Sequence, residues 1–219
     1  MRKKALIVAN GFQQKKALIK KLNKLGFDFV VAADGGANNL MKINVIPDVV
    51  IGDFDSIESS TLNWAKKKSK LIQINRQNDT DVEKAIKYLI KEKFTEAIIL
   101  GGTGDRLDHS IANIGFIIKY SNRIKLFLIH INSILYTISQ ATEFNVKKGE
   151  TISLYAFDPK TKLTSSGLKY KLNNSSLMFG EKDSTSNVAA SDKIKIEAKD
   201  GIAVIVRNLS EAMENGFIQ

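Results

Sequence analysis

The sequence predicts a doubly wound α/β domain with a mainly parallel sheet over residues 1–132, followed by an all-β antiparallel sandwich over residues 133–219. Three observations carry this expectation. Up to about residue 130, short runs of almost purely apolar residues alternate with stretches of helical periodicity. Beyond that point the runs shorten and alternate polar with apolar residues. In the first part, polar and glycine-rich strings follow the successive apolar runs.

The strand candidates of the first part are residues 5–9, 29–33, 49–51, 71–74, 97–100 and 125–129. Runs of this kind suit strands buried on both faces of a parallel sheet. Helical patterns fill the gaps, as at residues 15–25, 57–68, 81–91 and 107–119, and strand–helix alternation implies crossover connections. In the second part, Thr151-Ile152-Ser153-Leu154-Tyr155 and Lys193-Ile194-Lys195-Ile196-Glu197 have the period of half-buried strands. Lys148-Gly149, Asp158-Pro159, Asn173-Asn174 and Asp200-Gly201 supply turns between them.

Composition narrows the chemistry. The 219 residues are 43% hydrophobic and 26% charged, ordinary values for a soluble globular protein. No apolar run approaches the roughly 18 residues needed to cross a bilayer. The first apolar run stops at Asn10-Gly11, too short for a secretory h-region, so a cytoplasmic protein is expected. The absence of cysteine excludes disulfides, thiolate metal sites and cysteine nucleophiles. With His109 and His130 the only histidines, any metal should be a hard cation held by carboxylates. The net charge of +10 admits three readings: a solvated lysine-rich surface, attraction for an anionic substrate such as a nucleotide, or nucleic-acid binding. Against the last, the lysines are not interleaved with aromatics in a nucleic-acid module.

Ligands of open α/β sheets bind beyond the carboxyl ends of the strands. Five polar strings fall there: Asn10-Gly11, Asp34-Gly35-Gly36-Ala37-Asn38, Gly52-Asp53-Phe54-Asp55-Ser56, Gln77-Asn78-Asp79-Thr80-Asp81 and Gly101-Gly102-Thr103-Gly104-Asp105-Arg106-Leu107-Asp108-His109. In an extended segment, Asp53 and Asp55 would point to one side, and paired carboxylates repel unless a cation lies between them. Mg²⁺ fits, because it takes one or two carboxylates plus waters and substrate phosphates. Ser56 is read as the cap of the next helix. Thr80 and Glu83 fit a capping box, and Lys84 could pair with Asp81 on one helix face. Asp79 and Asp81 share the strand edge that carries Asp53 and Asp55, so a further carboxylate could complete a metal cluster. The glycines at 101, 102 and 104 would let the backbone approach a phosphate. Arg106 would hold that phosphate in bidentate fashion. Asp108 lies off the apolar stripe Leu107, Ile111, Ile114 and Ile118, so packing does not explain it. His109 is read as a structural hydrogen-bonder. In the β half, Tyr170 and Phe179 are the aromatics that could serve a ligand.

These strings, taken together and in order, resemble the thiamine pyrophosphokinase family. The β half carries matching pieces: Ser166-Gly167-Leu168-Lys169-Tyr170 with Leu172, then Phe179-Gly180, then Ser184-Thr185-Ser186-Asn187. The resemblance implies an α/β nucleotide domain, a β-sandwich domain, and a homodimer with thiamine bound near the interface. It implies that Asp53, Asp55, Asp81 and Asp108 form the magnesium and catalytic set, with Arg106 on the triphosphate. Nucleotide contacts are expected from Asp34, Gly35, Gly36, Asn38, Gly102, Thr103, Gly104, Arg106 and Lys84. Thiamine contacts are expected from Gln77, Ser184 and Asn187, with Ser186 an adjacent candidate. Some members of the family place a tryptophan after the Ser-Asn motif, where this chain has Val188-Ala189-Ala190. The implied reaction is attack of the thiamine hydroxyl on the β-phosphorus of ATP, with AMP leaving and Asp81 or Asp108 accepting the proton. Two alternatives stand beside it: another Mg-dependent nucleotide pyrophosphokinase or hydrolase, and a non-catalytic nucleic-acid binder. The aspartate cluster counts against the binder, since carboxylates repel phosphates without a metal.

Overall fold

The structure is a computed structural model that describes residues 3–12, 15–76 and 78–216. The chain forms two compact units, Met1–Ile131 and Asn132–Gln219. Among the described residues no helix is long and apolar enough to cross a membrane.

The first unit alternates strands and helices throughout. Its order is β1 (Lys4–Val8), α1 (Lys16–Asn23), β2 (Phe29–Ala33), α2 (Gly36–Lys42), β3 (Val49–Gly52), α3 (Ser59–Lys66), β4 (Lys70–Gln73), α4 (Asp81–Lys91), β5 (Glu96–Leu100), α5 (Leu107–Lys119) and β6 (Lys125–His130). All its strand pairs are parallel, in the order β6-β5-β1-β2-β3-β4. The apolar runs of β1, β2, β3 and β5 are buried because neighbours flank them in the sheet and helices cover it. The run at 71–74 was expected to be buried in the same way, yet β4 is the last strand of the sheet and is only partly covered. After β4 the chain returns to the other side of β1, which makes the gap between β1 and β5 the switch point of the sheet.

Two helices pack differently from their sequence reading. On α5, Leu107 is 70% and Ile111 62% exposed, and the face turned inward carries Asn113 and Ile117. The stripe Leu107–Ile111–Ile114–Ile118 is therefore not the buried face of this helix. On α4, Thr80 caps the first turn by accepting from the Glu83 N–H at 3.3 Å. The Glu83 side chain does not turn back to close a capping box; it is buried against Lys119 Nζ (2.7 Å) and Tyr120 Oη (2.6 Å), tying α4 to the end of α5.

Burial alone would push the Glu83 carboxyl up, but hydrogen bonds from Lys119 and Tyr120 and the Lys87 charge outweigh it and hold the group below its usual range. A lowered carboxyl stabilises the fold above its unfolded value, about pH 4.3, and that contribution is lost as pH falls through the lower folded value. Glu83→Gln should cost about 1.5–3 kcal/mol at pH 7. Urea unfolding of variant and wild type should converge as the pH is lowered below 4.3 or so; a gap that persists there would refute the charge contribution.

The second unit has antiparallel pairing throughout its named strands. Its elements are β7 (Ser133–Ile138), β8 (Thr142–Asn145), β9 (Thr151–Ala156), β10 (Lys162–Ser166), β11 (Ser175–Ser176), β12 (Ser184–Val188), β13 (Lys193–Lys199), β14 (Ala203–Asn208) and the short helix α6 (Leu209–Glu214). Two sets of strands result, β12-β9-β14-β7 and β11-β10-β13-β8. Strict alternation in β13, with Ile194, Ile196 and Ala198 buried between exposed charged residues, shows one wet and one dry face. Asn208 caps α6 by accepting from the N–H of Ser210 at 2.9 Å.

Candidate active site

The loops that leave β1 and β5 meet at the switch point. Gly11 N–H donates to the Gly101 carbonyl at 2.9 Å, and Phe12 N–H to that of Thr103 at 3.0 Å. A side chain at Gly101, which has φ +65°, would place its Cβ 2.6 Å from the Ala9 carbonyl oxygen. One at Gly11 would strike the carbonyls of Gly101 and Thr103. These glycines are thus required by the contact between the two loops, before any ligand is considered. Gly102 is pressed against Ile99 and Leu128, and its carbonyl accepts from Asn113, which explains a buried asparagine on α5. Thr103 Oγ1 lies 2.6 Å from His130 Nδ1, and the Phe12 ring meets the same histidine edge-on. Beside these loops a cavity opens, lined among others by Asp34, Gly35, Asp81, Gly104, Arg106 and His109.

Asp34, Asp53 and Asp81 converge here. Each offers a carboxylate oxygen, and these oxygens lie within 4.8 Å of one another. Asp34 follows β2 in a left-handed turn, φ +44°, and is 3% exposed. Its Oδ2 accepts from the Ser56 N–H at 3.0 Å, while the buried Oδ1 has no hydrogen-bond partner. Burial first, and then the charge of Asp81, push the Asp34 carboxyl up. Lys84, one turn into α4 and buried, places Nζ 2.8 Å from Asp81 Oδ1 and 3.9 Å from Asp53 Oδ2. Three carboxylates and one ammonium leave two negative charges, which a divalent cation would neutralise. The donor set is all oxygen, the unpartnered Oδ1 of Asp34 is a ready ligand atom, and magnesium fits such residues.

Asp55 and Asp108 stand apart from this cluster. The segment after β3 is not extended: Phe54 adopts φ +70°, and the turn directs Asp55 to solvent, where Oδ1 accepts from Ser56 Oγ at 2.8 Å. The period-two argument for Asp53 and Asp55 therefore does not apply, and Asp34 occupies the place it gave to Asp55. Asp108 forms an exposed pair with Arg106, whose Nε donates to Oδ1 at 3.1 Å. The guanidinium holds that carboxyl down at about 2. Asp79 also stays outside the cluster, paired with Arg76 and Lys87.

In the second unit, β12 carries the string Ser184-Thr185-Ser186-Asn187. Ser184 pairs with Leu154 and Asn187 with Ile152, so four residues on β12 span three on β9. Ser186, at φ +55°, is part of that bulge. The bulge brings Ser184 and Asn187, three residues apart, to the same inward side, and both are buried. Thr185 and Ser186 remain exposed.

The family model of the thiamin pyrophosphokinase catalytic domain matches residues 22–128, and that of the thiamin pyrophosphokinase vitamin B1 binding domain matches residues 136–203. The chain belongs to the thiamine pyrophosphokinase family. Thiamin pyrophosphokinase 1 of Caenorhabditis elegans is 26% identical over 187 residues, covering 78% of this chain and 76% of that protein. Thiamine pyrophosphokinase of Bacillus subtilis is 26% identical over 185 residues, covering 81% of this chain and 86% of that protein. The crystal structure of thiamine pyrophosphokinase from Bacillus subtilis superposes with a TM-score of 0.80 at 26% identity, over 94% of this chain and 99% of that one. The thiamin pyrophosphokinase structure from Candida albicans shares the fold, with a TM-score of 0.83 at 21% identity over 94% of this chain and 89% of that one.

Within this family member, several residues read from sequence as ligand contacts have structural partners. Asn38 donates to the Ser56 carbonyl at 2.9 Å and accepts from the Glu58 N–H at 3.1 Å, so its amide fixes the loop that carries Asp53. Ser56 does not cap α3, whose N-cap is Glu58. Gly36 packs against the Val8 carbonyl and Gly35 against Asn10, which seats α2 close to β1. His109 is exposed and lines the cavity, with Nε2 3.9 Å from Asp108 Oδ2, in place of the structural bond expected of it. Gln77 lies outside the described residues. Asn113 was passed over in the sequence, and Asn10 and His130 were named there without an individual role. The signal for Asn113 was present, as a polar residue inside a helix; His130 had none beyond being one of two histidines.

Proposed function

We propose that this chain transfers the pyrophosphoryl group of ATP to the hydroxyl of thiamine, giving thiamine pyrophosphate and AMP, as a cytoplasmic homodimer with Mg²⁺ as cofactor. The observation that carries the reading is the Asp34–Asp53–Asp81 cluster with Lys84, set beside the switch-point loops in a member of this family. Magnesium held by these three aspartates would supply charge neutralisation at the phosphates. Every other contribution comes from the chain.

The thiamine oxygen forms a bond to the β-phosphorus as the bond from that phosphorus to the AMP oxygen breaks. The hydroxyl proton passes to a carboxylate oxygen of Asp81, the most exposed side chain of the pairs with Lys84, whose Oδ1 the ammonium already holds. Asp81 also stands in the first turn of α4. Arg106 would release Asp108 to grip the triphosphate; little is lost, because an exposed pair contributes little. Lys84 would then balance the cluster as phosphate charge enters. In the second unit, Ser184 is the hydroxyl proposed to meet thiamine. Asp55 and Asp108 keep a role at most around the bound nucleotide, because both lie apart from the cluster.

Incubation of the purified protein with ATP, Mg²⁺ and thiamine, followed by chromatography, tests the reading. Thiamine pyrophosphate formed together with AMP is the expected result. Thiamine monophosphate with ADP would overturn the reaction type, and ATP consumption independent of thiamine would make the protein a hydrolase.

A further inference from the structure

Asn187 is 1% exposed, and its amide is fully used within the chain. Nδ2 donates to the Tyr170 carbonyl at 2.7 Å and to Ser184 Oγ at 2.9 Å. Oδ1 accepts from the N–H of Tyr170 at 3.1 Å and of Val188 at 2.8 Å. Two donors and two acceptor sites are the whole capacity of an asparagine side chain, so none is left for a ligand. Two of the four bonds clasp both backbone groups of a single residue, Tyr170. The segment before it runs alongside β12: Lys169 N–H donates to the Val188 carbonyl at 2.8 Å, and Ala190 N–H to that of Gly167 at 2.7 Å. The Asn187 side chain extends this ladder by one rung, standing in for a backbone peptide.

What this fixes is the backbone that carries an exposed ring. Tyr170 is 60% exposed, although its backbone is held from both sides. Lys169 Nζ lies 5.4 Å from the ring centroid, so a face of the ring already accepts a cation. Ser184 Oγ, the other group set by the same amide, accepts the Asn187 N–H and keeps its own proton to donate.

We propose that Asn187 is a positioning residue and not a substrate contact: its buried amide holds the Tyr170 ring as the aromatic wall against which the flat, cationic substrate ring lies. This rests on the pyrophosphokinase reading, in which thiamine is that cation. It supplies the stacking surface in a chain that has Val188-Ala189-Ala190 after the motif.

The test is calorimetric titration of thiamine into the wild type, Tyr170→Phe, Tyr170→Ala, Asn187→Asp and the Asn187→Asp/Tyr170→Ala double variant, with ATP KM measured for each. Tyr170→Ala should weaken thiamine binding about tenfold, the size of one aromatic contact. Tyr170→Phe should bind as the wild type, and ATP KM should not move. Asn187→Asp, which loses both donated bonds, should weaken thiamine binding in the wild-type background and have a clearly smaller effect once Tyr170 is alanine, the remainder running through Ser184. Effects that multiply in full in the double variant would mean that Asn187 does not act through Tyr170, and would overturn the proposal. If Asn187→Asp does not fold, the Tyr170 pair decides: Tyr170→Ala indistinguishable from Tyr170→Phe overturns it. A wild type that binds no thiamine overturns the functional reading and this proposal together, whereas wild-type binding with Tyr170→Ala unaffected overturns this proposal alone.

Discussion

Replacing Asp53 by asparagine should lower turnover by about 10³-fold and, in magnesium-free buffer, raise the melting temperature. Both effects follow from the same electrostatics. The cluster brings three carboxylates together with one lysine, and the shared excess of negative charge is useful only when a cation and phosphates are present. Without them it is a cost to the fold, recorded in the Asp34 carboxyl, which burial and the charge of Asp81 push up. A raised carboxyl disfavours the folded state as it ionises. Stability should therefore decline as the pH rises from about 3.9 through the higher folded value of Asp34, and stay reduced at neutral pH. Magnesium should restore it. Asp34→Asn should remove the penalty and the restoration together: a higher melting temperature without magnesium, and a smaller shift on adding it. Thermal melts with and without Mg²⁺, paired with turnover assays, separate the two contributions. Unchanged turnover in Asp53→Asn would remove the catalytic role, and an undiminished magnesium shift in Asp34→Asn would remove that residue from the ligand set.

Much of the fold was legible because local pattern and burial agree. The runs at 29–33 and 97–100 have parallel neighbours on both sides and helices over them, so their uninterrupted apolarity has one explanation. Where the agreement fails, the cause is a partner that periodicity cannot name. Edge position leaves β4 half-covered despite its apolar run. On α5 the first half of the apolar stripe, Leu107 and Ile111, faces outward, while Asn113, which reaches the Gly102 carbonyl, and Ile117 turn inward.

The site was legible as an edge and less so as a set of roles. Five loops gather residues of the right chemistry, but the assumption of extended geometry between Asp53 and Asp55 hid the turn at Phe54 and the part played by Asp34. Residue type was equally silent about engagement. Asn38, Thr103 and Asn187 have the polar groups of ligand contacts, and each has them bonded within its own unit. The β-bulge that turns Ser184 and Asn187 to one side depends on a positive φ at a serine, for which the sequence carries no signal.

Glu150→Ala should be the most damaging single substitution in the second unit, costing about 3–5 kcal/mol. Arg207 on β14 and Glu150 just before β9 are each 2% exposed, with Arg207 Nε 2.6 Å from Oε1 and Nη2 3.0 Å from Oε2. The same guanidinium donates to the Asn145 carbonyl at 3.2 Å, so the pair joins β14, the end of β8 and the turn before β9. Glu150 also receives an N–H from Lys147 at 3.3 Å, which closes that turn. Removing the carboxylate strands a buried cation, and the damage comes from that stranding more than from lost attraction. The argument is separable by a second substitution. Glu150→Ala combined with Arg207→Leu removes both charges and should recover part of the loss, since a buried pair replaced by apolar groups is often close to neutral. Denaturant unfolding of the single and double variants measures the difference. A double variant no more stable than Glu150→Ala would show that the pair's value lies in the backbone bonds to Asn145 and Lys147, with charge burial secondary.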